Sequence, residues 1–263
     1  MGERNPHIAV PNEQFIDKLI ETLKSPPTFD IDLKEYIQNN SWQWVANKWS
    51  NDLLKTQKPN APRERMKFKD FEHYRKAYED RPIENFIRSD GVGLVQPRYA
   101  ETIKFLKSQG VKELLDIGCG AGSFCLYAHH NKITPVGLDI QRKAIVAANK
   151  LNKSVNVDIE YINKAVEEWE TDRTFECVCS FEVLEHVYDV KTWLAKVESL
   201  ARPGGYVALS TPNKDGVGGL SGWDSYHINN YNEKELKSLI GEDRIVYFEN
   251  LPGEDFLVIY KVS

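Results

Sequence analysis

The stretch Leu114–Phe124, reading LLDIGCGAGSF, limits what this chain can fold into more than any other. An apolar run ends in Asp116, Gly118, Gly120 and Gly122 follow at once, and a helical pattern begins at Ser123. Glycines at this spacing let the backbone turn tightly and approach a ligand without a Cβ clash. Strand, glycine turn and helix in succession open a βα unit, in which the next strand runs parallel to the first.

The remainder of the chain repeats that alternation. Apolar runs at Glu113–Ile117, Thr134–Leu138, Val157–Ile162, Glu176–Phe181, Tyr206–Ser210, Arg244–Phe248 and Phe256–Val262 read as seven strands. Segments with apolar residues every three or four positions, Ser123–His130, Gln141–Leu151, Lys191–Ala201 and Asn232–Ile240, read as helices between them. The last two strands are separated only by the turn NLPGE, so the final strand is expected to run antiparallel. The expected fold is α/β: a Rossmann-like seven-stranded, mostly parallel sheet with an antiparallel last strand, spanning residues 96–263.

Residues 1–95 form the expected helical extension, with amphipathic stretches at Glu13–Leu23, Trp42–Leu54 and Phe68–Tyr78 broken by Pro26–Pro27 and Pro59–Pro62. Trp42, Trp44 and Trp49 cannot share one helical face. They either pack the extension onto the sheet domain or line a ligand pocket. A lid over the site is expected of this segment.

The second constraint is Asp139, at the end of the next strand (VGLDI), about twenty residues beyond the glycine turn. A carboxylate there can accept hydrogen bonds from both ribose hydroxyls of an adenosine, and Ile140 beside it offers an apolar face to the adenine ring. A nicotinamide dehydrogenase would carry a third glycine or an alanine three residues after the second, where this chain has Ser123.

With LDIGCGAGS and GLDI stand SFEVLEHV (180–187), PGG (203–205), STPN (210–213) and HINNYNEKEL (227–236). In these motifs and their order residues 98–240 resemble the class I methyltransferases, most closely the branch containing the ubiquinone-pathway O-methyltransferases. The resemblance implies S-adenosylmethionine as methyl donor. It assigns the methionine part to Gly118 with Asp116, Cys119, Gly120 and Gly122, the ribose to Asp139 with Ile140 alongside, and the adenine edge to Ala165 and Val166. Phe181 would lie beside the cofactor, and Arg98 would pair with its carboxylate, a task suited to a guanidinium. Asn163–Lys164 stands where relatives often carry Gly-Asp.

Methyl transfer from a sulfonium needs an aligned nucleophile and, for a hydroxyl acceptor, a base. His186 and His227 are the candidate bases, since imidazole titrates near neutrality. Glu182, Glu185 and His186 fall at i, i+3 and i+4, one face of a helix if the turn is helical, and His227 completes a set of two carboxylates and two imidazoles. A divalent ion held there would acidify a bound hydroxyl, but the metal-free base is the preferred reading and no metal ligand is assigned. The loop KDGVGGLSGWDSY, with Trp223 and Tyr226, is more polar than in the ubiquinone branch, which points to a small polar acceptor such as a sugar or phenol.

Bulk properties narrow the alternatives. A net charge of −5 gives no overall attraction to nucleic acid, although residues 58–81 hold eight Lys/Arg against five Asp/Glu and keep a nucleic-acid acceptor as the alternative. A protein that binds the cofactor without turnover is the other alternative. No apolar run approaches the roughly 20 residues of a membrane span, and MGERNPHIAV lacks a signal-peptide layout. Cys119, Cys125, Cys177 and Cys179 lack metal or disulfide spacing and read as reduced core thiols, so a cytoplasmic protein without membrane partners is expected. The sequence leaves the oligomeric state open.

Overall fold

A computed structural model describes residues 65–79, 81, 96–215, 226–251 and 255–263. The chain divides into two compact units between Thr56 and Gln57, and every described residue belongs to the second. The expected helices Glu13–Leu23 and Trp42–Leu54, the three tryptophans among residues 42–49, and Trp223 lie outside the described residues.

Seven strands form one sheet: β1 Glu113–Ile117, β2 Thr134–Asp139, β3 Glu160–Asn163, β4 Phe175–Phe181, β5 Ala201–Pro212, β6 Ile245–Asn250 and β7 Asp255–Lys261. Their order is β3-β2-β1-β4-β5-β7-β6. Strands β1 to β5 pair in parallel, and β7 pairs antiparallel with both β5 and β6, as the missing crossover between the last two strands demands. Among the described residues six α-helices accompany them: α1 Phe71–Glu79, α2 Pro97–Ser108, α3 Ser123–His130, α4 Arg142–Val155, α5 Val190–Ser199 and α6 Glu233–Ile240. None of the described helices is long and apolar enough to cross a membrane.

The central strands are buried on both faces, so their neighbouring side chains feed two different cores. Leu115, Val178, Leu209 and Val258 point to the layer of α5 and α6 with Trp193 and Leu236, whereas Leu114, Cys177, Ala208 and Leu257 point to the layer of α2 and α3. Helix α2 was absent from the expected elements. Pro97 starts it, and Tyr99, Ile103 and Leu106 place one apolar edge against Leu114 and Phe124. The four cysteines are free and buried, as expected.

Strand β5 begins five residues before the expected Tyr206, because Ala201 already pairs with Phe175 and the PGG segment is carried inside the strand through a register shift. Gly205 is needed there: a Cβ would sit 2.9 Å from the carbonyl oxygens of both Arg202 and Glu176. Strands β2 and β3 lie on one side of β1, and β4 and β5 on the other. The chain therefore reverses its winding between β1 and β4, and in such sheets the ligand crevice opens beyond the carboxyl ends of those strands.

Candidate active site

A cavity of about 430 Å³ occupies that crevice. Its floor is the glycine turn after β1. Gly118 and Gly120 line it with φ of +75° and +53°, conformations that glycine adopts without strain. Gly118 also has no room for a side chain, since a Cβ would come within 2.3 Å of Val183 Cγ2.

Asp139 closes one side of the turn. Its Oδ2 accepts from the Gly120 amide at 2.8 Å and its Oδ1 from the Gln141 amide at 2.7 Å, so two backbone amides hold the carboxylate at the cavity wall. Ile140, Ala165 and Val166 continue the wall on that side, the last two at the start of a 3₁₀ turn, Val166–Glu168. Asp116, Cys119 and Gly122 stand behind the wall rather than in it. The Asp116 Oδ2 lies 3.4 Å from Cys125 Sγ, burial pushes the Cys119 thiol up to about 11, and Gly122 makes space for the Tyr161 ring.

Phe181 also lines the cavity and stacks T-shaped with Phe124 at 4.8 Å. Arg98, from the first turn of α2, is buried with its guanidinium 3.3 Å from Asp255 and 3.7 Å from Glu182. Neither carboxylate belongs to the expected cofactor set, and Asp255 enters from the start of β7.

The turn after β4 departs from a regular helix. Glu182 is left-handed at φ +56°, its amide donates to the Ser210 carbonyl, and its carboxylate accepts from Ser210 Oγ at 2.8 Å. The helical turn begins only at Leu184, so Glu182 does not share a face with Glu185 and His186. Those two instead meet His227, with ligand atoms of all three within 4.8 Å of one another and the imidazoles at 4.7 Å. Glu185 is fully buried and accepts from Thr211 Oγ1 at 3.0 Å; burial first, then the neighbouring Glu182, pushes its carboxyl well above the usual range. The Nδ1 of His186 contacts the Tyr226 carbonyl at 3.0 Å, leaving Nε2 on the Glu185 side at 3.8 Å.

The family model described as methyltransferase domain matches residues 93–243. The chain belongs to that family. Ubiquinone biosynthesis O-methyltransferase of Bradyrhizobium sp. (strain ORS 278) is 31% identical over 118 residues, 45% of this chain and 47% of the relative. The protein of the same name from Rhizobium etli (strain ATCC 51251 / DSM 11541 / JCM 21823 / NBRC 15573 / CFN 42) is 32% identical over 136 residues, 51% of this chain and 50% of the relative. The chain thus spans about half the length of the curated relatives it matches. Among solved structures, magnesium protoporphyrin IX methyltransferase from Synechocystis PCC 6803 with bound SAH is similar in fold, at a TM-score of 0.59 and 16% identity, over 74% of this chain and 100% of that one. A SAM dependent methyltransferase from Aquifex aeolicus gives 0.56 and 19%, over 70% and 100%. The family and fold expected from the sequence are borne out.

Part of the cavity carries no sequence motif. Tyr74 and Tyr78 of α1 line it, and so does Arg81. The Gln141 side chain donates to the carbonyls of Tyr78 and Arg81 at 3.3 and 2.6 Å, which ties α1 to the end of β2. The Arg81 guanidinium lies over the Tyr226 ring at 4.5 Å. From the basic run, Arg75 is engaged by Glu72 and Glu79 of its own helix. The apolar spacing of Phe71, Tyr74 and Tyr78 was the one signal that could have marked this helix as a wall.

Proposed function

We propose that the protein transfers a methyl group from S-adenosylmethionine to an oxygen of a small polar molecule, such as a sugar or phenol, and releases S-adenosylhomocysteine. The observation that carries this is Asp139, pinned by two backbone amides at the end of β2 and facing a cavity floored by glycine backbone. That arrangement suits a nucleoside diol beside an amino-acid tail. In this reading Asp139 binds the ribose, Ile140 the adenine face, and Ala165 and Val166 its edge. Gly118 and Gly120 receive the methionine part, Arg98 its carboxylate, and Phe181 packs beside it. Asp116, Cys119 and Gly122 shape the turn from behind.

The methyl acceptor then lies toward His186 and His227. As the acceptor oxygen attacks the methyl carbon and the carbon–sulfur bond breaks, one of the imidazoles takes the hydroxyl proton. Four buried, free thiols fit a reducing compartment such as the cytoplasm. Calorimetry with S-adenosylhomocysteine, followed by incubation of a cell extract with the enzyme and isotopically labelled methyl donor, tests the proposal. Absence of binding refutes the site, and binding without any labelled product marks a partner protein that does not turn over.

The convergence of Glu185, His186 and His227 favours a second reading. One carboxylate and two imidazoles fit an open divalent site, and a bound ion would acidify the acceptor hydroxyl. Glu182 is committed to Ser210 and Arg98 and stays outside that set. Under the first reading EDTA leaves the transfer rate unchanged. Loss of activity restored by Mg²⁺ or Mn²⁺ replaces it with the second.

A further inference from the structure

Asp255 lies beyond the sequence motifs, which end at residue 240, and beyond the residues 93–243 that the family model matches, yet it lines the cavity. The topology brings it there. Strands β1 to β5 run in parallel toward the crevice, whereas β7 runs against β5 and therefore starts beside it. Asp255, the first residue of β7, stands opposite Pro212, the last of β5. Its carbonyl accepts from the Leu251 amide at 2.8 Å, which joins the end of β6 to the start of β7 and fixes the backbone that carries the carboxylate.

What that carboxylate meets is Arg98. The guanidinium donates from Nη1 to Asp255 Oδ2 at 3.3 Å and is buried, lying over the Tyr99 ring at 5.6 Å. Glu182 approaches the same nitrogen at 3.7 Å, beyond hydrogen-bond distance, while its own Oε1 accepts from Ser210 Oγ at 2.8 Å. Of these two acids, Asp255 is the one that hydrogen-bonds the arginine. A guanidinium is planar and carries its five N–H groups in a fixed fork, so an acceptor at one nitrogen sets where the other edges face. A buried cation also needs an opposite charge in good geometry, and Asp255 supplies it from a strand already fixed in the sheet.

Resting on the proposed cofactor reading, in which Arg98 takes the carboxylate of S-adenosylmethionine, we propose that Asp255 is the positioning residue for that arginine. It holds Nη1 so that the fork is aligned for the ligand carboxylate, and it acts on the cofactor through Arg98 alone. Recognition of the amino-acid tail then depends on the C-terminal hairpin, which carries none of the motifs.

The test compares S-adenosylhomocysteine with S-adenosyl-3-thiopropylamine by calorimetry on the full-length protein. The second compound keeps the nucleoside, thioether and amine and lacks only the carboxylate. The wild type is expected to prefer S-adenosylhomocysteine by about ten-fold or more. Asp255→Ala should weaken S-adenosylhomocysteine by about ten-fold and the thiopropylamine by less than about two-fold, and Asp255→Asn, which keeps an acceptor oxygen, should recover part of the loss. In an Arg98→Ala background, Asp255→Ala should cause no further loss of either compound. Three results overturn the role of Asp255 and leave the cofactor reading intact: no loss in Asp255→Ala, equal losses for the two compounds, as a loosened fold or a direct contact with the amine would give, or a full further loss in the Arg98→Ala background. A wild type that binds both compounds equally overturns the part of Arg98 in that reading and this proposal with it. One that binds neither overturns the cofactor site altogether.

Discussion

At the residue scale the site depends on positions where one atom too many, or one charge too few, is decisive. Asp139→Ala should weaken S-adenosylhomocysteine binding by about 1.5–3 kcal/mol, from lost charge-assisted ribose hydrogen bonds and release of the Gly120 amide. Equal binding by the variant in calorimetry would reject the ribose role. Gly118→Ala faces two penalties, a Cβ driven into Val183 and a φ of +75°. Together these should cost about 2–4 kcal/mol in urea unfolding. Adding Val183→Ala removes the clash, so the double variant should regain part of the loss and retain about 1 kcal/mol of backbone cost. No recovery would mean that the clash is not what excludes a side chain there. Both residues were legible in the sequence, because glycine and aspartate at these strand ends leave a spacing signal. Arg98 was legible too, but its contacts with Asp255 and Glu182 were not, since Asp255 arrives from a strand more than 150 residues later in the chain.

At the element scale, agreement between sequence and structure follows how much of an element's pattern is local. Strand β1 and helix α3 begin and end where periodicity placed them, because the glycine turn punctuates both. Strand β5 overran its expected start because its first residues are fixed by pairing with β4, which no local pattern records. Glu176, at the base of β4, shows how such pairing is finished: its carboxylate accepts from the amides of Lys112 and Glu113 and approaches Arg202. The backbone hydrogen bond from Lys112, foremost, holds its carboxyl below the usual range. A depressed acid adds stability above its ordinary value, and that stability is lost as pH falls through the folded value. Glu176→Gln should therefore cost about 0.5–1 kcal/mol near neutrality, the modest figure reflecting its solvent exposure. The gap to the wild type should close as the pH drops below about 4.3. A gap in urea unfolding that stays constant or widens in acid would show that the charge contributes nothing.

For the whole molecule, the question is which parts of the chain build the cavity. The sheet supplies the floor and the ends, and the motifs that announced them all lie between residues 98 and 240. The remaining side belongs to α1, whose Tyr74 and Tyr78 carry no motif and reach the site only through the fold. Their attachment is strong for so short a helix. Gln141 donates to two α1-side carbonyls while its own amide is bound by Asp139, so the helix is fastened to the same carboxylate that faces the proposed ribose. Tyr78 adds its hydroxyl to the Tyr226 carbonyl, beside the His186 and His227 pair. A segment so placed would exclude water from both ends of a bound methyl donor, and the alignment of donor with acceptor would suffer without it. We therefore propose that α1 acts as a lid over the cofactor itself. A chain beginning at Gln57 keeps α1 and should bind S-adenosylhomocysteine as the full chain does. A chain beginning at Ser89 keeps Arg98 and the whole sheet but loses α1, and should bind more than about ten-fold more weakly and lose methyl transfer. Calorimetry and a transfer assay on both chains, each first shown to unfold cooperatively, decide the matter. If the shorter chain binds and turns over like the longer one, α1 is a covering that the site does not need.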